Sequence, residues 1–370
     1  MNIVIDTFPF LLRSAGVKTA LYEWVRALRL ENSPHTISCF PYLDLPPTLD
    51  HESSPLPRLN TWFRLAYVHG YNKVPLLVRN LISPKADLFH ISIHIYRPPT
   101  RVPVSTTIHD MTVWLVPETH TPGNVRANKE FAERVYPNAR GLIAVSEATK
   151  RDACRLLRLR DDAVEVVPNG IAPAYFDVPL AEGDRVRASL NLPKNFALYL
   201  GTIEPRKNVP RMLDAWLALS ETERAGWELI LAGPVGWEQQ QTIERIRQSA
   251  SSIRYLGYVP EADLPGLFRA AGFFVYPSLY EGFGLPPAQA LAAGVPVLTS
   301  GVSSLPEVCG AGALYVDPLS EAELRSAFAR LISDAALRQQ LATAGRLHVE
   351  NFTWKNAAAK TLRYFERIAG

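Results

Sequence analysis

Short apolar runs alternate with longer amphipathic segments along the chain. The runs are rich in β-branched residues and lack a helical period, so they predict buried strands. In the first half these strands are NIVID (2–6), TISCF (36–40), DLFHI (87–91), STTIH (105–109), GLIAV (141–145) and VEVVP (164–168). The segments between them predict helices over 18–30, 124–137 and 146–159, the last with Ser146 as its N-cap and Glu147 in its first turn.

The same alternation restarts in the second half. The predicted strands are FALYLG (196–201), ELILAG (228–233), IRYLG (253–257), FFVYPS (273–278) and PVLTS (296–300). The predicted helices cover 208–219, 238–250, 261–271, 286–293, 320–332, 334–349 and 354–368. Alternating strands and helices are typical of parallel sheets with helices on both faces. We therefore predict the α/β class, with two Rossmann-like, doubly wound domains in series.

A stretch rich in proline and glycine, PNGIAPAYFDVPLAEGD (168–184), predicts the boundary between the domains. We expect a first domain over 1–170, a linker over 171–185 and a second domain over 186–352. Ligands of open α/β sheets bind beyond the carboxyl ends of the strands. Two such sheets facing each other would place the chemistry in a cleft.

Composition and charge exclude several classes of function. A net charge of +3 in 370 residues argues against a nucleic-acid partner. Cys39, Cys154 and Cys309 stand singly, with neither metal spacing nor a disulfide framework, which fits a reducing cytosol. No apolar run approaches the roughly 20 residues of a spanning helix. The N-terminal MNIVIDTFPF predicts a buried strand rather than a signal peptide, so we expect a cytoplasmic protein.

The stretch EGFGLPPAQALAAG (281–294) carries a strong chemical signal. Its glycines let backbone N–H groups approach a ligand, and Pro286 and Pro287 suit the first turn of a helix. The N-terminus of that helix favours phosphate. Glu281 would repel phosphate and is better suited to accept hydrogen bonds from sugar hydroxyls. The alternative interpretation is a glycine turn with a surface glutamate.

A second loop, in LYLGTIEPRKNVPRMLDA (198–215), supports the phosphate interpretation. A strand ends in Gly201, and Arg206 and Lys207 precede a helix that we predict to be capped by Asn208. Two cations at the start of a helix oppose its dipole. A bound phosphate would offset this, since each charge-assisted hydrogen bond contributes about 1.5–3 kcal/mol.

Taken together, GTIEPRKN, EGFGLPPAQALAAGVPV and SSLPEVCGAGALYVDP resemble the family 4 glycosyltransferases of the GT-B fold. TIHDMTVWLVPE, VSEATKRD and VPNGI match in order, so the resemblance covers nearly the whole chain. It implies metal-independent transfer of a sugar from a nucleotide donor to a hydroxyl acceptor with retained configuration. It places the donor in the second domain and the acceptor in the first, onto which the last helix (about 353–370) returns.

The resemblance also assigns residues of the second domain. It implies that Lys207, with Arg206 beside it, binds the donor diphosphate, and that Glu281 lies near the transferred sugar. The backbone N–H groups that would hold sugar and phosphate oxygens are those of Phe283, Gly284 and Leu285. Gln289 stands where the family has a second glutamate on the ribose hydroxyls. Because an amide can accept and donate, we expect binding to survive.

In the first domain the resemblance implies that His109 lies close to the reacting centre and that Gly16, in SAGVKTA, lies near the diphosphate. Ala15 precedes Gly16 where a glycine pair is common. Thr202 follows Gly201 where the family often has an arginine, which leaves more of the phosphate charge to Arg206 and Lys207.

The donor and acceptor are expectations of class. The GTIEPRKN variant is most similar to mannosyl- and rhamnosyl-type transferases of bacterial surface polysaccharides, which predicts GDP-mannose first and a UDP-sugar second. The acceptor would be a saccharide or a lipid-linked saccharide. With no certain nucleophile in the sequence, we favour same-face attack guided by the leaving phosphate.

Two other classes of function are open to test. An NAD-dependent oxidoreductase would need G-x-G-x-x-G after the first strand, which VIDTFPFLLRSAG does not supply. A scaffold that binds nucleotide sugars without transferring them is the stronger rival, because Thr202 and Gln289 depart from the family pattern.

Each of three further features has two interpretations: the pair His90 and His94, Glu307, and the segment 51–101. His90 and His94 are expected to serve packing or acceptor contact rather than a metal, since no third ligand is evident. Glu307 either lies near the nucleotide or caps a helix.

The segment 51–101 has seven cations against Glu52 and Asp87. It is equally consistent with a helical insert and with a surface that contacts an anionic membrane, which would make the protein peripheral on the inner face of the plasma membrane. The cations are Arg58, Arg64, Lys73, Arg79, Lys85, Arg97 and Arg101.

Overall fold

The computed structural model describes residues 1–12, 16–31, 33–41, 43–46, 53–237 and 239–370. Ala15 and Glu52, which entered the predictions above, lie outside the described residues. The described chain forms two compact units. The first comprises Met1–Leu115, Thr121–Gly170 and Phe352–Gly370, and the second comprises Val116–His120 and Ile171–Asn351.

In its described part, the first unit contains a six-stranded parallel sheet. Its strands are β1 (Asn2–Asp6), β2 (Thr36–Phe40), β3 (Leu88–Ile91), β4 (Val104–Ile108), β5 (Gly141–Ala144) and β6 (Val164–Val166). Its helices before the domain boundary are α1 (Gly16–Leu30), α2 (Arg58–Tyr71), α3 (Leu76–Ile82), α4 (Thr112–Leu115), α5 (Pro122–Val135) and α6 (Glu147–Leu157). Short 3-10 helices lie at Phe8–Leu11, Pro117–Thr119, Tyr136–Asn138 and Asp161–Ala163, of which Pro117–Thr119 is assigned to the second unit.

The second unit repeats this plan with six parallel strands among its described residues. They are β7 (Phe196–Leu200), β8 (Glu228–Ala232), β9 (Ile253–Gly257), β10 (Phe273–Tyr276), β11 (Val297–Ser300) and β12 (Ala313–Val316). Its helices are α7 (Pro173–Phe176), α8 (Leu180–Ser189), α9 (Val209–Leu217), α10 (Glu221–Arg224), α11 (Gln240–Gln248), α12 (Leu264–Ala270), α13 (Leu285–Ala292), α14 (Leu305–Cys309), α15 (Glu321–Ser333) and α16 (Ala335–Val349). Its 3-10 helices lie at Pro205–Lys207, Glu261–Asp263 and Gly310–Gly312.

The order of the strands explains where each unit can hold a ligand. The first sheet runs β2-β1-β3-β4-β5-β6 and the second β12-β11-β10-β7-β8-β9. The chain therefore reverses direction across the sheet between β1 and β3 in one unit and between β7 and β10 in the other. Loops diverge at such a point and leave a crevice at the carboxyl ends of the strands.

Both sheets are covered by helices, so their strands are apolar on both faces. Every residue of β3, β5, β10 and β11 is buried. The core of the first unit includes Phe10, Phe40, Tyr71 and Phe89, all at most 1% exposed. The predicted α/β class is confirmed.

The chain returns to the first unit in α17 (Trp354–Ala369). The Tyr364 hydroxyl accepts a hydrogen bond of 2.9 Å from Leu142 N–H, at strand β5. Trp24 Nε1 on α1 donates to Thr361 Oγ1 at 3.0 Å. The last helix thus packs on one side of the sheet that the first residues begin.

The structure adds one strand to the predicted elements, gives the position of the stretch 171–185, and confirms one predicted helix cap. The pattern does not predict β12, a four-residue strand paired with β11 and only half-buried at its centre. The stretch 171–185 lies within the second unit and contains α7 and the start of α8. Ser146 caps α6 as predicted, since its side chain accepts from Thr149 N–H at 3.0 Å.

None of the helices in the described part of the chain is long and apolar enough to traverse a bilayer.

Candidate active site

The structure places the two predicted loops side by side at the carboxyl edge of the second sheet. Loop 201–208 follows β7 and loop 277–284 follows β10, which are neighbouring strands at the reversal of strand order. Leu279 N–H donates to Arg206 O at 2.9 Å and joins their main chains. The two motifs therefore form one site in the second unit.

A buried cluster of charges joins the side chains of these loops. Lys207 Nζ donates to Glu281 Oε1 at 2.6 Å, and an Arg206 guanidinium nitrogen lies 2.9 Å from the same oxygen. The other terminal nitrogen of Arg206 donates to Glu204 Oε1 at 2.8 Å. Two cations are thus matched by two carboxylates, with Glu281 shared between the cations.

The cluster keeps Glu281 ionised. Burial disfavours its charge, but Arg206 and Lys207 outweigh this effect and lower the pKa of Glu281 to about 2. Burial and the neighbouring Arg206 lower the pKa of Lys207, while Glu281 and Glu204 oppose that shift. The charge of each partner is therefore stabilised by the other.

Tyr276, the last residue of β10, contacts the Lys207 ammonium group with both its hydroxyl and its ring. Lys207 Nζ donates to the Tyr276 hydroxyl and lies 4.7 Å from the centre of its ring. Burial raises the pKa of Tyr276 well above its ordinary value, so the phenol stays neutral. It fixes the ammonium group by a hydrogen bond and a cation–π contact.

Two serines, Ser303 and Ser304, hold loop 281–285 in place through hydrogen bonds. Ser303 Oγ accepts from Glu281 N–H at 2.9 Å, and Ser304 Oγ lies 3.0 Å from Glu281 O and 2.8 Å from Phe283 O, with one hydroxyl proton to share between these carbonyls. Gly284 has φ +98°, and a Cβ there would meet Leu305 Cδ2 at 2.9 Å. The turn therefore needs glycine and is held in one conformation.

Helix α13 begins directly after this turn and aims its N-terminus at the carboxyl edge of the sheet. Pro286 and Pro287 have no N–H group, so the donors that this end can offer are the N–H groups of Gly284 and Leu285. Gln289 lies one turn further along α13 and is 9% exposed. The predicted backbone donors thus lie beside the charged cluster in sequence and in space.

Loop 201–204 is shaped by a close approach to the loop after β8. Gly201 N–H donates to Ala232 O at 3.0 Å, and Ile203 N–H donates to Pro234 O at 2.9 Å. Gly233 has φ +122°, and a Cβ there would lie 2.3 Å from Gly201 O. Thr202 O accepts from the Tyr199 hydroxyl at 3.0 Å. The path that carries Arg206 and Lys207 therefore depends on glycine at 233.

The predicted role of Asn208 as a helix cap is wrong. Asn208 does precede α9, but with φ +58° its side chain makes no capping hydrogen bond. Its amide nitrogen donates instead to Pro277 O at 3.1 Å and Pro318 O at 2.7 Å. The residue therefore connects loop 201–208 to the loop after β10 and to the loop after β12.

The first unit has a cavity of about 380 Å³ at the carboxyl ends of β1, β3 and β4. Its lining is mixed, with aromatic rings between amides and carboxylates. Among the lining residues are Asp6, Trp24, His90, His94, His109, Asp110, Trp114, Asn124, Asn128 and Tyr136. Flat rings interspersed with polar groups are suited to a ligand with both apolar faces and hydroxyls.

Two of the residues that line this cavity, Asp6 and His90, are buried and titratable. Asp6 accepts from Phe8 N–H at 2.9 Å and from Ser92 N–H at 3.2 Å, yet burial still raises its pKa to about 6. His90 lies between Ser105 Oγ at 3.0 Å and Thr107 Oγ1 at 3.1 Å. Burial, aided by His109, lowers the pKa of His90 to about 3, so its ring is neutral.

The predicted site residues fall into two groups. Gly201, Thr202, Arg206, Lys207, Glu281, Phe283, Gly284, Leu285 and Gln289 come together in the second unit. Gly16 and His109 belong to the first unit, so the second-unit geometry neither includes nor tests them. Gly16 begins α1 and is exposed. His109 follows β4 and borders the cavity with an exposed edge, while desolvation by the wall lowers its pKa and Asp110 opposes this.

Sequence reasoning missed several supporting residues. Glu204 lies two positions before the cation pair, inside GTIEPRKN, and Tyr276 ends the strand FFVYPS. Ser303 and Ser304 open the motif SSLPEV, whose Glu307 lies in the first turn of α14 rather than at its cap position. Tyr276, Ser303 and Ser304 contact residues more than 20 positions away, which the sequence does not reveal. Glu204 pairs with Arg206 within its own motif, so the charge pattern of GTIEPRKN could have identified it.

No group of three or more His, Cys, Asp or Glu side chains that could hold a metal ion occurs in the described part of the chain.

Two family models match this sequence. Glycosyl transferases group 1 matches residues 182–348, and Glycosyltransferase Family 4 matches residues 14–175. A relative named O-antigen chain mannosyltransferase B, from Escherichia coli, is 30% identical over the full length of both chains. The Serotype-specific mannosyltransferase WbdA of Escherichia coli is 28% identical over 63% of this chain and 29% of its own length.

Solved structures show the same fold. Anabaena Alr3699/HepE in complex with UDP and glucose matches 99% of this chain and 100% of its own, with a TM-score of 0.74 and 18% identity. WaaG, a glycosyltransferase involved in lipopolysaccharide biosynthesis, matches 99% of each chain with a TM-score of 0.72 and 16% identity. These likenesses establish the GT-B type of fold that the sequence predicts.

Proposed function

Because this chain belongs to the group 1, family 4 glycosyltransferases, we propose that it transfers a mannosyl or rhamnosyl group from a nucleoside diphosphate sugar to a saccharide hydroxyl. GDP-mannose is the first donor to test and a UDP-sugar the second. The names of the Escherichia coli relatives, an O-antigen mannosyltransferase among them, favour mannose. The acceptor would be a saccharide or a lipid-linked saccharide of a surface polysaccharide.

The observation that carries this proposal is the cluster of Arg206, Lys207 and Glu281 beside the N-terminus of α13. Arg206 and Lys207 bring two fixed positive charges to a crevice where α/β sheets bind nucleotides. Gly284 and Leu285 add backbone donors from the positive end of the α13 dipole. A diphosphate would share the two cations with Glu281, whose carboxylate keeps them charged and in place.

In transfer, the diphosphate leaves with the bonding electron pair of the anomeric carbon–oxygen bond. Arg206, Lys207 and the N–H groups of loop 283–285 stabilise the negative charge that develops on its oxygens. Glu281, held by both cations, is proposed to lie near the transferred sugar and to accept a hydrogen bond from one of its hydroxyls. Because protein cations supply the electrostatic stabilisation, we propose that no metal ion is needed.

The acceptor is proposed to occupy the first-unit cavity. The indoles of Trp24 and Trp114 offer stacking faces for a sugar ring, and Asn124 and Asn128 offer amide groups for its hydroxyls. His109 borders the cavity and would lie close to the attacking hydroxyl. The acceptor oxygen would bond to the anomeric carbon on the face that the leaving phosphate occupied, which would retain the anomeric configuration, and the hydroxyl proton would pass to an oxygen of the departing diphosphate.

We also propose that the enzyme works in the cytoplasm, since its cysteines stand singly and thiols stay reduced there. The described part of the chain has three free cysteines, of which Cys309 is buried.

The test has two stages. A thermal-shift screen of nucleoside diphosphate sugars identifies the donor, because a ligand that binds the folded state raises the melting temperature. The purified enzyme is then given that donor with a mannose-terminated acceptor, with and without a chelator. Product with retained anomeric configuration in NMR spectra, formed equally with chelator, supports the proposal. Donor binding with neither transfer nor slow donor hydrolysis would favour a scaffold that only binds the nucleotide sugar.

A further inference from the structure

Helices α2 and α3 of the first unit expose large apolar side chains. On α2, Trp62 is 63% and Phe63 58% exposed, with Leu59 beside them at helical spacing. On α3, Leu77 and Leu81 are each 78% exposed, next to Leu76. We call these six residues the α2–α3 surface.

These helices already bury a different apolar face. Val68 and Tyr71 of α2 belong to the first-unit core, and Ile82 of α3 packs against it. The buried Arg79 of α3 donates to Val74 O at 3.2 Å and to Arg97 O at 3.0 Å. Both helices are therefore anchored to the unit, and the α2–α3 surface is an additional apolar face. A helix with apolar residues on two opposite faces is typical of a helix that packs against other groups on both of these faces.

The charged residues of the two helices and of the turn between them have one sign. Residues 58–82 contain four cations and no aspartate or glutamate. Arg58 and Lys73 are exposed at the two ends of α2. Arg97 and Arg101 are exposed. They lie near α3, because Thr100 N–H, between them in sequence, donates to Asn80 Oδ1 of α3 at 2.9 Å. Asp87 follows α3 in sequence and accepts from Asn2 N–H at 2.7 Å, a neutral donor that leaves its negative charge in place.

Exposed tryptophan, phenylalanine and leucine surrounded by cations fit the boundary of an anionic lipid bilayer. Apolar side chains enter the region below the headgroups, and Lys and Arg remain at the level of the lipid phosphates. Each cation near such a surface contributes to binding, and salt screens the attraction. We infer that the α2–α3 surface docks this protein on an anionic bilayer. The inference goes beyond the proposed transfer reaction, because docking requires neither donor nor acceptor.

Vesicle sedimentation tests the inference with the full-length protein. The protein is mixed at low salt with phosphatidylcholine vesicles, with and without phosphatidylglycerol. We expect sedimentation with the anionic vesicles, at least ten-fold weaker binding to the neutral ones, and loss of binding as salt is added. No sedimentation at low salt, or equal binding to both vesicle types, would overturn the inference.

Matched variants locate the contact. The double variant Trp62→Ser with Phe63→Ser should lose at least ten-fold in vesicle affinity, whereas Leu319→Ser with Leu347→Ser, at exposed leucines of the second unit, should lose none. Arg58→Gln and Lys73→Gln should each weaken binding roughly five-fold, while Lys194→Gln, an exposed cation of the second unit, should not. Equal effects of test and control variants would overturn the assignment to this surface.

The same variants distinguish a lipid from a second copy of the chain. Sedimentation velocity without vesicles measures the oligomeric state, and thermal melting confirms that each variant is folded. If the wild type forms a dimer that Trp62→Ser with Phe63→Ser dissociates, and vesicles bind neither protein, then the surface is a protein interface and the inference is wrong.

Discussion

Lys207 Nζ donates a hydrogen bond of 2.6 Å to Glu281 Oε1 across 74 positions of sequence. The contact joins the loops that follow β7 and β10 and buries a cation with its counterion. Such a pair is weak support for stability by itself, because removing both charges from water offsets much of their attraction. The pair is instead suited to holding a cation in a fixed position for a phosphate.

Replacement of Lys207 tests its role at the diphosphate. Lys207→Ala should lower the rate of sugar transfer about 100-fold or more, because it removes a charge that stabilises the leaving group. Initial rates at saturating donor measure the effect, and circular dichroism confirms the fold. Lys194→Ala, at an exposed lysine, is the matched control and should keep its rate. Near-normal turnover in Lys207→Ala would exclude Lys207 from catalysis.

Replacement of Glu281 tests the counterion role. Glu281→Gln removes the carboxylate that the buried Lys207 hydrogen-bonds, which should lower the free energy of unfolding at pH 7 by about 3 kcal/mol. Added pyrophosphate should then raise the melting temperature more in the variant than in the wild type, since an anion can replace the missing charge. Glu182→Gln, which removes a surface pair with Arg185, should change little. Equal stability of Glu281→Gln and wild type would contradict the cluster described here.

Gly233 tests the path of loop 201–207. Gly233→Ala would bring a Cβ to 2.3 Å from Gly201 O, so the loop must move. We expect an additional loss of about 1–3 kcal/mol relative to Gly226→Ala, together with weaker binding of the nucleoside diphosphate. Gly226 also has a positive φ, of +76°, but open space around it, so that variant carries the backbone strain alone. Denaturant unfolding and thermal shift measure the two effects.

Because His90 is buried and neutral in the folded state, we expect the protein to lose stability in acid. Burial holds its folded pKa at about 3 against 6.5 for the free side chain, so below pH 6.5 the unfolded state takes up the proton first. The contribution of His90 to stability is therefore complete above pH 6.5 and declines as the pH falls towards 3. Between pH 7 and pH 5 the decline should be about 2 kcal/mol.

His90→Gln has no proton to gain at this position, so its unfolding free energy should fall less steeply over the same range. Chemical denaturation at pH 7, 6 and 5 gives both slopes. His94, whose pKa burial lowers to about 4, titrates in both proteins and cancels in the comparison. Parallel slopes would show that His90 is not neutral and buried in the folded state.

Much of the fold follows from local pattern. The runs 2–6, 36–40 and 253–257 coincide with β1, β2 and β9, because each is a short, mainly apolar run that ends at or just before a residue disfavoured in strands, namely Asp6, Pro41 and Gly257. The strand β12 does not stand out, since ALYV is short and lies at the edge of the sheet with a single neighbour. Its pairing with β11 comes from the sheet rather than from its own composition.

The candidate site is partly predictable. The motifs identify Arg206, Lys207 and Glu281, because glycines, prolines and charges at strand ends have a local meaning. They do not show that Glu281 bonds to both cations or that Asn208 ties two loops together. Those relationships depend on which strands become neighbours, and residues far apart in sequence carry no mark of a contact in space.

The position of α17 bears on how this protein is made. The first unit is completed by residues 352–370, which the ribosome delivers after the whole of the second unit. Until then the indole of Trp24 lacks Thr361, and the amide of Leu142 lacks the Tyr364 hydroxyl. In a nascent chain the strands of the first sheet therefore precede the helix that packs on them by the length of the second unit, and a fragment that stops near residue 170 would lack that helix permanently.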